Sequence, residues 1–232
     1  MNLLHRLLSN PECIEPLRHD VETAVAEEGW TKAGMDKMHK IDSFLRETQR
    51  FDDLDSCLLD SPGQTSIAVL ILYFLFSVAI NRLALRPFTF SNGVTVPAGA
   101  LITVPSGVIH KDEKLYPNPE EFDGFRFAKL REHSVDARHQ ALSTSVDHLT
   151  FGYGRHAWYV CLFLPQPFAV THIFFISPGR FFAVNEVKAF LAHVVVTYDI
   201  KFEEGKQAPP GLYVGSMRVP REANVMFRKR QT

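Results

Sequence analysis

Glu47 and Arg50 stand three residues apart in the run Glu47-Thr48-Gln49-Arg50. On a helix that spacing places both on one face, where carboxylate and guanidinium can pair. An exposed pair of this kind contributes little. A buried one needs further donors for the carboxylate's remaining lone pairs, and Arg126 in "PEEFDGFRF" is the candidate third member. A second cluster begins at "FGYGRHAWYV", Phe151 to Val160. Gly152 and Gly154 allow a tight turn, while Arg155 and His156 add polar donors. Further on, Pro178 and Gly179 open "PGRFFAVNEVKAFLAHVVV", with Pro178 suited to a first helical turn. A glycine-turned loop that runs into a helix N-terminus suits the presentation of a cysteine thiolate, because the positive end of the helix stabilises the anion. After Ala157, however, stands Trp158; Cys161 follows three residues later and is the remaining candidate metal ligand. A shift of three residues far exceeds the displacement of about 0.2 Å that a metal site tolerates.

The elements that must position these groups follow from the pattern of apolar residues. "NPECIEPLRHDVETAVAEEGW" carries Ile14, Leu17, Val21 and Val25 near helical spacing, with Gly29 as its C-cap. "DKMHKIDSFLRETQRF" repeats the pattern with Met38, Ile41, Phe44 and Leu45, so the two helices are expected to meet at a short turn around Gly34. "FTFSNGVTVPAGALITVPSG" alternates, and Asn92-Gly93 and Pro97-Ala98-Gly99 punctuate it as short hairpin strands. "YPNPEEFDGFRF" reads as a proline-rich loop. "RFFAVNEVKAFLAHVVVTYDIKF" begins as a helix and ends in a β-branched strand. The expected fold class is therefore mainly α with small β-sheets (α+β): helices first, small strands in the middle, then one long helix and a final hairpin.

Glu47-x-x-Arg50, "YPNPEEFDGFRF" and "FGYGRHA…PGRFFA", in that order, resemble the C-terminal half of a cytochrome P450 of fungal type. The resemblance implies an incomplete P450 fold over 1–232. It implies a structural ion-pair triad of Glu47, Arg50 and Arg126. It also implies a haem cofactor held by Arg82, Phe151, Gly152, Gly154, Arg155, His156, Pro178 and Gly179. Arg82 and His156 would meet the propionates, and Phe151 would lie against the macrocycle. The implied activity is haem-thiolate monooxygenation: hydroxylation of an apolar small molecule with dioxygen and electrons from a partner reductase. The implied location is the cytoplasmic face of the endoplasmic reticulum membrane. By the same resemblance, the oxygen-activating helix and the N-terminal membrane anchor are expected upstream of Met1.

In the family a cysteine follows "FGYGRHA" and precedes "PGR". Here Trp158 to Ser177, "WYVCLFLPQPFAVTHIFFIS", intervenes. Trp-Tyr-Val back-translates to TG|GTAYGTN, which contains an intron start. If Ser177 uses an AGY codon, the segment ends in AG and leaves one pyrimidine. Joining TG to that pyrimidine encodes Cys, and the removed length is a whole number of codons. The segment 158–177 is thus expected to be a translated intron within "FGYGRHACPGRFFA". A second insertion is expected over 57–78, where the spacing from Arg50 to Arg82 exceeds the family's. The alternative is a non-catalytic, truncated or mis-spliced remnant unable to bind haem normally.

Composition leaves these readings open and narrows the others. The 232 residues carry a net charge of −1, so no long-range field advertises a nucleic-acid partner. Three widely spaced cysteines, Cys13, Cys57 and Cys161, do not make a disulfide framework. The apolar runs 67–80 and 162–176 fall short of the roughly 20 residues that a membrane span needs, and Pro165 and Pro167 break the second. Sequencing the transcript across this region is expected to show a spliced message that lacks the intron-like segment and encodes one cysteine between Ala157 and Pro178. A dominant message that retains the segment would refute the assignment.

Overall fold

Every residue from Ile41 to Thr48 is buried, and so is Arg50, in the computed structural model of the chain. The structure describes residues 2–52, 81–132, 139–154, 157, 179–203, 212–214, 217–219 and 224–231. The suspected insertions 57–78 and 158–177 lie outside the described residues.

Four helices come first: α1 (Asn2–Ser9), α2 (Ile14–Glu28), α3 (Lys32–Lys37) and α4 (His39–Phe51). Leu17, Val21 and Ala24 on α2 pack with Met38, Ile41, Phe44 and Leu45 at α4. Helix α2 stops at Gly29, whose φ of 68° lets its N–H turn back to the Val25 carbonyl at 2.8 Å. The turn expected around Gly34 is instead a short helix. Thr31 caps α3 by accepting the Gly34 N–H at 3.1 Å, and the chain breaks at Met38, where ψ is 77°. Gly34 is needed there for close approach, because a Cβ would run into the Gly29 carbonyl oxygen. Helix α1 is a further difference: its buried side chains are Leu3, His5 and Leu7, too short a pattern to mark a helix in the sequence.

Helix α4 has no cap of its own. Asp20 on α2 supplies one, its Oδ2 accepting the Lys40 and Ile41 N–H groups at 2.9 and 3.3 Å. Burial nevertheless holds the Asp20 carboxyl above its ordinary pKa, the two N–H bonds offsetting only part of that cost.

The middle of the chain holds β1 (Asn81–Leu83), β2 (Phe88–Thr89), β3 (Thr95–Val96) and β4 (Leu101–Thr103), followed by helices α5 (Ser106–His110) and α6 (Arg126–Glu132). Strand β2 pairs antiparallel with β3 around Asn92-Gly93, as the alternation predicts, whereas β4 pairs across to β1, a strand that lies before the alternating stretch. Helix α7 (Gly179–Thr197) then leads directly into β5 (Tyr198–Phe202). It keeps its helical form through Val194–Val196 because Val194 and Val195 are buried, which outweighs their β propensity. Strand β5 pairs with β8 (Val225–Lys229), and β6 (Leu212–Val214) with β7 (Met217–Val219).

Helix α4 packs against α1, α2, α5, α6 and α7, and its apolar side chains join Leu191, Ala192 and Val195 of α7 in one core. Arg18 on α2 adds a buried tie, donating from Nε to the Val195 carbonyl at 2.8 Å. Among the described residues no helix is long and apolar enough to cross a membrane. The Gly34→Ala substitution sets two effects against each other. Alanine favours a helix by about 1 kcal/mol, but its methyl collides with backbone that cannot swing aside. Overpacking is expected to win, lowering stability by about 1–3 kcal/mol in a thermal or urea melt. A stabilised variant would contradict the close approach.

Candidate functional site

Glu47 and Arg50 face each other on the last turns of α4, and neither side chain reaches solvent. Arg50 donates from Nε to Glu47 Oε2 at 2.9 Å and from Nη2 to Oε1 at 2.8 Å, a two-bond fork. Arg126, at the start of α6, donates from Nε to Glu47 Oε1 at 3.2 Å, and the Asp123 N–H reaches the same oxygen at 3.2 Å. One buried carboxylate thus holds two guanidiniums. Their other donors go to backbone carbonyls. Arg50 Nη1 donates to His110 and Pro119 at 2.6 and 3.0 Å. Arg126 donates to Pro117 at 2.5 Å, Asn118 at 3.2 Å and Glu121 at 3.0 Å. The proline-rich loop between α5 and α6 is therefore folded around two cations.

A second set of groups on α4 holds the segment leading to Phe151. Ser43 Oγ donates to the Gly124 carbonyl at 3.0 Å and accepts the Phe127 and Ala128 N–H groups, capping α6 from another helix. Asp42 accepts from Arg131 on α6 at 3.2 Å, from Lys188 on α7 at 3.2 Å and from the Ala141 N–H at 3.0 Å. Arg46 lies over the Phe127 ring, 4.8 Å from its centroid, and donates to the Gln140 and Ser143 carbonyls, the latter at 3.0 Å. Burial pushes the Arg46 pKa down to about 10, so it still carries its charge at neutral pH. Burial and the neighbouring Arg46 charge hold His148 well below the ordinary imidazole value. Nothing in the sequence singled out Asp42, Ser43 or Arg46; their uniform burial on α4 is visible only in the fold.

Of the residues expected in the loop, Phe151 is buried in the main core. Gly152 and Gly154 take φ of 71° and 75°, in the region that favours glycine, and the Gly152 N–H closes a turn on the Leu149 carbonyl at 2.7 Å. Among the described residues, a Cβ on Gly154 would meet nothing within 4 Å. Arg82 lies on β1 opposite Ile102, with its side chain exposed. Gly179 begins α7. Arg155, His156, Cys161 and Pro178 lie outside the described residues. The glycine turn leaves a backbone surface that a flat prosthetic group could approach, while the ligand position itself lies outside the described residues. At the position where the resemblance expects the thiolate the sequence has Trp158, which offers no sulfur, and among the described residues no cluster of three or more His, Cys, Asp and Glu could hold a metal ion.

A helix-rich frame with small antiparallel sheets carries a glycine-turned loop on a buried Glu–Arg–Arg network. The chain matches the family model described as Cytochrome P450 over residues 69–162. It is 34% identical to cytochrome P450 monooxygenase 71 of Postia placenta over 229 residues, 99% of this chain and 38% of the relative. It is 31% identical to cytochrome P450 monooxygenase janQ of Penicillium janthinellum over 233 residues, 100% of this chain and 38% of the relative. It is 33% identical to ent-kaurene oxidase of Fusarium fujikuroi over 232 residues, 98% of this chain and 37% of the relative. The chain belongs to the cytochrome P450 family. It spans about 38% of the length of the curated relatives it matches.

Replacing Glu47 by alanine would leave the buried Arg50 and Arg126 guanidiniums without their shared counter-charge. The expected loss is about 3–5 kcal/mol, read as a fall in the denaturation midpoint. A variant within about 0.5 kcal/mol of the parent would show that the network is dispensable.

Proposed function

We propose that the sequence encodes part of a haem-thiolate monooxygenase whose ligand cysteine is restored when 158–177 is removed. The chain as written is then the non-catalytic form. One observation supports the reading: the turn at Phe151–Gly154 is held in the core beside α4, while the sequence has Trp158 at the position where the resemblance expects the cysteine. The family match ends at residue 162, just inside the 158–177 segment, which supports an interruption there. It begins at residue 69, inside 57–78, so it lends no such support to the bounds of the first segment.

In this reading Phe151 packs against the macrocycle and Gly152 and Gly154 let the backbone pass close to it. Arg82 and His156 bind the propionates beside Arg155, and Pro178 and Gly179 start the helix behind the sulfur. Glu47, Arg50 and Arg126 hold the neighbouring loop rigid and take no part in the chemistry. Bound there, iron protoporphyrin would supply dioxygen chemistry, with thiolate donation favouring O–O cleavage. The protein's task is to bind and orient an apolar small molecule and exclude water. Electrons would come from a partner reductase. The corresponding location is the cytoplasmic face of the endoplasmic reticulum membrane.

Two chains test the proposal, the sequence as written and one in which 158–177 is replaced by a single cysteine. Each is mixed with haem and reduced under carbon monoxide. The thiolate-type Soret band is expected in the second chain, and none, or a weak displaced one, in the first. Identical spectra from the two would overturn the assignment of the cysteine position.

A further inference from the structure

His110 ends α5 with no solvent exposure, and its polar ends face different parts of the molecule. Its backbone carbonyl accepts Arg50 Nη1 at 2.6 Å. Its ring Nε2 accepts the Leu149 N–H at 2.9 Å. The Leu149 carbonyl in turn accepts the Gly152 N–H at 2.7 Å, closing the turn that carries Phe151. A single residue therefore stands between the Glu47–Arg50 pair and the glycine turn.

An N–H can donate to Nε2 only if that nitrogen keeps its lone pair, so the ring proton belongs on Nδ1. An imidazolium would present a donor to a donor and break the link. The ring is enclosed on all the sides that the described residues define. The His148 ring lies 5.0 Å away at 33°, Tyr116 stands edge-on at 6.5 Å, and the Arg50 guanidinium is bonded to the same residue's carbonyl.

We infer that His110 is a positioning residue: as the neutral Nδ1–H tautomer it transmits the placement of Arg50 to the Leu149–Gly152 turn. Its meaning for a prosthetic group rests on the function proposed above, whereas the local geometry does not.

The test uses the full chain without added haem. Nitrogen NMR of the His110 ring should report the Nδ1–H tautomer; an Nε2–H tautomer overturns the inference. Amide exchange at Leu149, read against Leu191 in α7, should quicken about tenfold in His110→Leu and stay near the parent rate in His110→Gln, whose oxygen can reach the same N–H. An unchanged Leu149 rate in His110→Leu overturns the inference. If that variant does not fold, His110→Gln and His110→Asn are compared, since asparagine is too short to reach. Equal Leu149 rates in those two overturn it as well. Failure of the cysteine-restored chain to bind haem would refute the functional reading alone and leave these outcomes standing.

Discussion

A carboxylate fully removed from water, with two guanidiniums on it, is the constraint from which the rest of this structure follows. Glu47 cannot remain buried unless its lone pairs are filled, and Arg50, Arg126 and the Asp123 N–H fill them. The arginines then carry more donors than one carboxylate can accept. The surplus draws in the carbonyls of His110, Pro117, Asn118, Pro119 and Glu121, which fixes a loop without regular secondary structure. An apolar replacement of similar volume would fill the same space and leave those carbonyls without partners. The network therefore contributes specificity of loop shape at least as much as stability.

Helix α4 is unusual in being polar where it is most buried. Asp42 ties α6, α7 and Ala141; Ser43 caps α6; Arg46 holds Gln140 and Ser143; Glu47 and Arg50 hold the proline-rich loop. Hydrophobic burial sets how closely these parts approach. The directional bonds decide in which register they do so, because an unpaired charge in this interior would cost several kcal/mol. The helix works as an internal peg on which loops are hung.

This arrangement separates frame from chemistry. The turn at Phe151–Gly154 is tied to the frame through Leu149 and through its own glycines, and neither tie requires a ligand cysteine. The loop thus keeps its shape up to Gly154 by contacts that do not involve position 158, where the sequence has Trp. In a protein that spans about 38% of its relatives' length, the family pattern is therefore carried by residues of the frame.

Local rules were enough for several elements. Helical spacing placed α2 and α4, Asn92-Gly93 placed the β2–β3 hairpin, and the three-residue spacing put Glu47 and Arg50 on one face. The order of the three motifs carried the family. These signals lie within a few residues of one another, so they survive without knowledge of the fold. Tertiary contact decided the rest. It made Gly34 part of a helix rather than a turn, kept Val194–Val196 helical, and let Asp20 and Ser43 cap helices other than their own. It also brought His110 beneath Leu149, 39 positions along the chain. A single sequence has no periodicity that encodes such distant pairings; they arise only when burial removes water and each stranded donor must take whichever acceptor the fold brings near.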